Sequence, residues 1–154
     1  MNSRKRWEPK NVTGKTGDGR DADLFPMMPE ASTFYINRTI RGVPYCKQKS
    51  RGNQEGPEKW SSEVVRQTSD LPRIKDACFM KVTFLLPPDK YPRDMPYGPD
   101  LDNLLKRLLD DLKRTILSEA RGGDSCIVSL TVMKTKVRSY EESGAHIEVM
   151  PVKV

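Results

Sequence analysis

Residues 99–118 read PDLDNLLKRLLDDLKRTILS, and this stretch decides the fold. At 100° per residue, Leu101, Leu104, Leu105, Leu108, Leu109, Leu112 and Ile116 fall within an arc of about 140°, wide enough to bury one face against a sheet. Asp102, Lys106, Asp110 and Lys113 share the opposite side. The spacing predicts a helix over 100–117, with Asp110 and Asp111 on its surface. Just upstream, prolines stand at 87, 88, 92, 96 and 99. Chain with so many fixed φ angles is stiff and delivers Asp100 in a defined position.

Outward from this helix the apolar period drops to two. Residues 77–86 set Cys78, Met80, Val82, Phe84 and Leu86 on one face of a strand. Residues 126–137 alternate again, with Cys126, Val128, Leu130 and Val132 on one face. Thr33 to Ile36 read as the core of a first strand that continues weakly to Thr39 and Ile40. Residues 145–150 read as a last strand, entered through a polar turn at 141–144. Gly56-Pro57-Glu58 suits the start of another helix. Its buried stripe would be Trp60, Val64 and Val65, and Pro72 lies beyond its end. The order strand, helix, strand, helix, strand, strand predicts an α+β domain, a mixed sheet of about four strands with two helices packed on it. Residues 1–31 have no periodic apolar pattern and are expected to form a mobile tail, leaving 32–154 as the domain.

Composition narrows the partners. The 154 residues hold 27 Lys and Arg against 21 Asp and Glu, a net +6, which favours a polyanion such as nucleic acid. No run approaches the ~18 apolar residues of a membrane span. The N-terminus, MNSRKRWEPK, lacks the apolar core of a secretory signal, so a cytoplasmic protein is expected, nucleoid-associated if its polyanionic partner is DNA. Cys46, Cys78 and Cys126 are widely spaced and fit neither a disulfide framework nor a CxxC zinc site; they read as reduced thiols. The single histidine, His146, excludes any mechanism requiring two and reads as a surface residue.

Chemistry concentrates at Asp100-Leu101-Asp102-Asn103 with Lys106, and at Asp124 after a Gly-Gly turn. Mg²⁺ prefers hard carboxylate oxygens and keeps several waters, so carboxylates held rigidly at a helix boundary suit metal-assisted phosphodiester hydrolysis. Lys106, about 6 Å along the axis from Asp102, is placed to meet a phosphate or the charge on a departing oxygen. The same residues have a plainer reading. Asp100 would cap the helix, Asp102 would complement its dipole, and Lys106 would be the i+4 partner of Asp102. Spacing alone leaves both open. The segment 38–51 carries Arg38, Arg41, Lys47, Lys49 and Arg51 without an acid, and reads either as a DNA-facing loop or as a solvated one. Lys134, Lys136 and Arg138 would add to the same patch, or protect an edge strand.

The segments PDLDNLLKRLLDDLKR, GDSCIVSLTVMKTKV and HIEVM, taken together, resemble the C-terminal half of RusA-type Holliday-junction resolvases. That family is marked by a DLDN-x-x-K helix followed by an Asp-containing turn and a strand. The likeness is strongest over residues 99–150. It implies that Asp100, Asp102 and Asp124 bind metal and that Lys106 is the catalytic lysine. It further implies a homodimer using one or two Mg²⁺ ions per subunit, with Mn²⁺ as a substitute, that resolves four-way DNA junctions by paired symmetric nicks in recombination and repair. Two rival readings of the same residues are a non-catalytic nucleic-acid-binding dimer and a nuclease acting on other branched DNA.

Overall fold

The computed structural model describes residues 35–47, 52–90 and 98–152. Six elements follow in the expected order: β1 (Ile36–Arg41), α1 (Glu55–Thr68), β2 (Cys78–Leu86), α2 (Leu101–Leu112), β3 (Ile127–Lys136) and β4 (Gly144–Pro151). The strands form one mixed sheet in the order β1-β4-β2-β3. β4 is antiparallel to both β1 and β2, while β2 and β3 run parallel, joined through α2. This is the α+β domain that the alternation of periods predicted.

One face of the sheet is the core. Met80, Val82 and Phe84 of β2 are flanked by Ile147 and Val149 of β4 and by Ile36 and Ile40 of β1, all buried. Trp60 and Val64 of α1 and Leu104, Leu108 and Leu112 of α2 cover that face. In α1 the stripe runs on to the buried Thr68, and Val65 is only half-buried. Thr68 Oγ1 lies 2.7 Å from Thr115 Oγ1, a buried hydroxyl pair that ties the end of α1 to the segment after α2. Asn53 Oδ1 accepts the Glu55 N–H at 2.9 Å, and Pro57 sits in the first turn, where its missing N–H costs nothing.

Three features differ from the sequence reading, two of them boundaries. β1 lies where only a weak continuation is expected, at 36–41, and Thr33 and Phe34 fall outside the described residues, as does the tail 1–31. α2 stops at Leu112 instead of 117. Beyond it the amides turn back to carbonyls three or five residues earlier, Thr115 to Leu112 and Leu117 to Leu112, which buries Ile116 and Leu117 together. The Ile116 carbonyl, freed by that turn, accepts the Ile74 amide at 2.8 Å. The face of β3 predicted as core is the third difference: Val128 and Leu130 are 42% and 40% exposed, because β3 is an edge strand and a shift of register puts Ile127, not Val128, opposite Cys78 and against the core.

Asp111 is a correction of another kind. It is 7% exposed, not a surface residue, and its Oδ2 has no hydrogen-bond partner. Burial pushes its carboxyl up, against the opposing pull of Ser61 and the Arg107 guanidinium. A folded-state value above the unfolded one means that the native state binds this proton more tightly. The Asp111 contribution therefore rises as pH falls from neutrality towards the ordinary carboxyl value of 3.8 and is lost as pH rises. Urea midpoints of the parent chain and Asp111→Asn at pH 7 and pH 5 check this: the parent should gain on the variant at the lower pH. Equal differences at both would contradict the assignment. No helix among the described residues is long and apolar enough to cross a membrane.

Candidate active site

α2 starts at Asp100, whose extended backbone (φ −63°, ψ 129°) presents its carbonyl to the Leu104 amide at 3.0 Å. Its carboxylate makes no cap hydrogen bond to the first turn; the Asn103 side-chain amide approaches it at 3.4 Å. The capping role that the plainer reading gives this carboxylate is not what the structure uses it for. Asp102 faces Lys106, with Nζ to Oδ2 at 3.3 Å and side chains 69% and 60% exposed. A pair so open to water contributes only about 0.3–0.5 kcal/mol. Fold stability therefore gains little from these three charged groups.

Asp100, Leu101, Asp102, Leu105 and Val132 line an open depression where α2 crosses β3. On one side Lys134 Nζ donates to the Pro99 carbonyl at 2.8 Å. On the other, the segment after β1 runs across the head of α2. The Lys47 amide donates to the Asn103 carbonyl at 3.1 Å, and Cys46 Sγ lies 3.9 Å from the Asp100 carbonyl. Burial, and then the Asp100 carboxylate, push the Cys46 thiol up, so it stays protonated beside the acids. Burial likewise pushes Cys78 up to about 12, beside Cys126, and all three cysteines are free thiols.

Asp124 does not join this pair within the chain. It belongs to a single 3-10 turn, Gly123–Cys126, and pairs with Lys113 at 3.5 Å, beyond the far end of α2. From Asp102 to Lys113 the helix axis advances about 17 Å, whereas two oxygens on one Mg²⁺ lie at most about 4 Å apart. The sheet gives the same answer. Asp124 precedes the start of β3, and the head of α2 lies beside Lys134, about 23 Å further along that strand. Among the described residues no group of three His, Cys, Asp or Glu side chains is placed to hold one ion.

The basic residues divide. Arg38 is engaged by the fold: its guanidinium grips both Asp70 oxygens, at 3.2 and 3.1 Å, and the Gln67 carbonyl at 2.9 Å. Arg41 donates to the Glu142 carbonyl at 2.9 Å, and Lys47 pairs with Asp110 at 2.8 Å. Lys49 and Arg51 lie outside the described residues. His146 is half-buried, not free at the surface; its Nδ1 lies 2.8 Å from Thr39 Oγ1 on the open face of the sheet. Sequence reading missed Arg107, which bridges the Cys46 carbonyl (3.0 Å) and Ser61 (3.1 Å) and so fixes the segment before Lys47 against α2. Its place one residue after Lys106 hid it among the surface charges. No protein-family model matches the chain, and no curated protein matches it.

Proposed function

We propose that the protein is a metal-dependent, structure-specific DNA endonuclease of the RusA type, which resolves four-way junctions by paired nicks as a homodimer. One observation carries the reading: two carboxylates, Asp100 and Asp102, stand exposed at the head of a rigid helix to whose stability they add little, with Lys106 one turn away. The pair fits Mg²⁺, which commonly takes one or two carboxylates and completes its shell with water and substrate phosphate. Mn²⁺ would substitute. Bound there, the ion would supply an activated water and polarise the scissile phosphate. Asp100 and Asp102 would hold and orient it, the buried leucines of α2 would keep both carboxylates fixed, and Lys106 would meet charge on the departing oxygen. The net +6 charge would hold the junction arms through their phosphates, with little base reading.

Incubating the purified protein with a labelled four-way junction, with and without Mg²⁺, tests this. Paired cuts that require the metal are expected; no cleavage with either Mg²⁺ or Mn²⁺ overturns it. Three-way and linear substrates run alongside would reveal a nuclease for other branched DNA. A second reading, a non-catalytic nucleic-acid-binding dimer, is favoured by the separation of Asp124 from the carboxylate pair. It expects salt-sensitive binding and no cuts on any substrate. Lys106→Ala should slow cleavage by roughly ten- to a hundredfold and leave the Mg²⁺ dependence of the rate unchanged. An unaltered rate would reduce Lys106 to a surface ion pair.

A further inference from the structure

The first turn of α2 carries the carboxylate pair, yet little within the helix holds it. The fully buried leucines begin at Leu104, and no side chain caps the turn ahead of it. A helix end without caps frays. Two contacts from outside α2 reach this turn. Lys134 of β3 donates to the Pro99 carbonyl at 2.8 Å. On the other side residues 45–47 lie across it. Cys46 Sγ is 3.9 Å from the Asp100 carbonyl, and the Lys47 amide donates to the Asn103 carbonyl at 3.1 Å.

Residues 45–47 need a hold of their own. Lys47 pairs with Asp110, but in the open, where such a pair adds little. The firmer hold comes from Arg107, half-buried, whose Nε donates to the Cys46 carbonyl at 3.0 Å. Its Nη1 serves α1, reaching Ser61 Oγ at 3.1 Å and the Pro57 carbonyl at 3.5 Å. The planar fork of an arginine meets both sides at once, whereas the compact ammonium of a lysine does not. We propose that Arg107 is a positioning residue for the carboxylate pair. By gripping Cys46 it sets residues 45–47 against Asp100 and Asn103, and so keeps the first turn of α2 in one arrangement before any ion arrives. This inference rests on the endonuclease reading of Asp100 and Asp102.

Groups that orient a metal's ligands from outside its shell are commonly worth roughly ten- to a hundredfold in affinity. The reason is one of populations: a turn ordered for only part of the time lowers the apparent affinity by that fraction. Charge alone predicts the opposite sign. Arg107 lies about 7.5 Å along the helix axis from Asp102, and removing a cation there should tighten the binding of a divalent ion. A weaker affinity in its absence therefore reports position and not charge. An Arg107 that merely fastens α1 to α2 predicts a third pattern, in which losing Ser61 matters as much as losing Arg107.

Binding of Mn²⁺ to the full chain, read from the paramagnetic resonance of the free ion without DNA, tests this apart from activity. Arg107→Gln should bind Mn²⁺ roughly tenfold or more weakly than the parent chain. Arg107→Lys, which keeps the charge, should lose nearly as much, whereas Ser61→Ala should stay within roughly threefold of the parent. Amide hydrogen exchange without metal should quicken in Arg107→Gln at Lys47 and at Leu104, whose amide bonds the Asp100 carbonyl, and stay unchanged at Leu108. Arg107 also draws on the buried Asp111 carboxyl, so urea denaturation checks that each variant is folded, and Arg107→Lys stands in should Arg107→Gln unfold. Mn²⁺ binding by the Arg107 variants as tight as the parent's, or tighter, overturns this inference alone. So does an equal loss in Ser61→Ala. A parent chain that binds no Mn²⁺ removes the endonuclease reading and this inference together.

Discussion

Asp102→Asn, and separately Asp100→Asn, should lower Mg²⁺-dependent cleavage of a four-way junction by roughly a hundredfold or more, since each removes a negative ligand from an ion that polarises the scissile phosphate. Neither should disturb folding. The Asp102 pair with Lys106 is exposed, and the Asp100 carboxylate caps nothing. Removing a negative charge beside the phosphate path should, if anything, tighten junction binding and steepen its salt dependence. Cleavage and binding are thus expected to move in opposite directions, which a damaged fold does not produce. Asp110→Asn is the matched control: it lies on the same helix and pairs with Lys47 and Lys113, two turns from Asp102. Its rate should stay near that of the parent chain. Full cleavage by both Asp100→Asn and Asp102→Asn would remove the metal from the mechanism.

The layers of this fold are legible because each is written in a clean period. Cys78, Met80, Val82, Phe84 and Leu86 alternate in the sequence and are all buried. The leucines of α2 recur at helical spacing, and Leu104, Leu108 and Leu112 are fully buried. The pattern of β3 is as regular, yet its apolar face is half open. Alternation reports which residues share a face and says nothing about what covers it. Strand order decides that, and β3 fell at the edge because β4 returned between β1 and β2. Asp111 had a partial signal: seven residues after Leu104, it stands about 20° from it on the helix, just beyond the edge of the leucine arc. Its acidic side chain masked that position. For the carboxylates, local spacing sets Asp100, Asp102 and Lys106 together at the head of α2, where the structure has them, since a helix start fixes residues within two turns. Asp124 depended on where the chain travelled after α2. Because β3 runs parallel to β2, α2 returns antiparallel to both, and the start of β3, with Asp124, lies by the tail of that helix and not by its head.

Gly144→Ala should cost about 3 kcal/mol of stability or more, the largest effect expected of a methyl group added at any described glycine. A Cβ at this position would overlap the Ile40 carbonyl oxygen and crowd the Ile40 carbonyl carbon at 3.0 Å and the Arg41 Cα at 3.3 Å. All three are backbone atoms, so no side chain can swing aside; a strand has to move. Gly144 pairs with Arg41 of β1 and Leu85 of β2 at the head of β4, the strand on which both neighbours depend. Displacing it pulls Ala145 away from Phe84 and Ile40, and Ile147 from Val82, and opens ladder hydrogen bonds inside the sheet. Gly56→Ala is the instructive contrast. There the new methyl would meet the Tyr45 hydroxyl end, side-chain atoms and not backbone, and the loss should be smaller, nearer ~1 kcal/mol. Urea denaturation of the two variants beside the parent chain separates them. Matching midpoints for Gly144→Ala and the parent would mean that β1 is not held against β4 at this close approach.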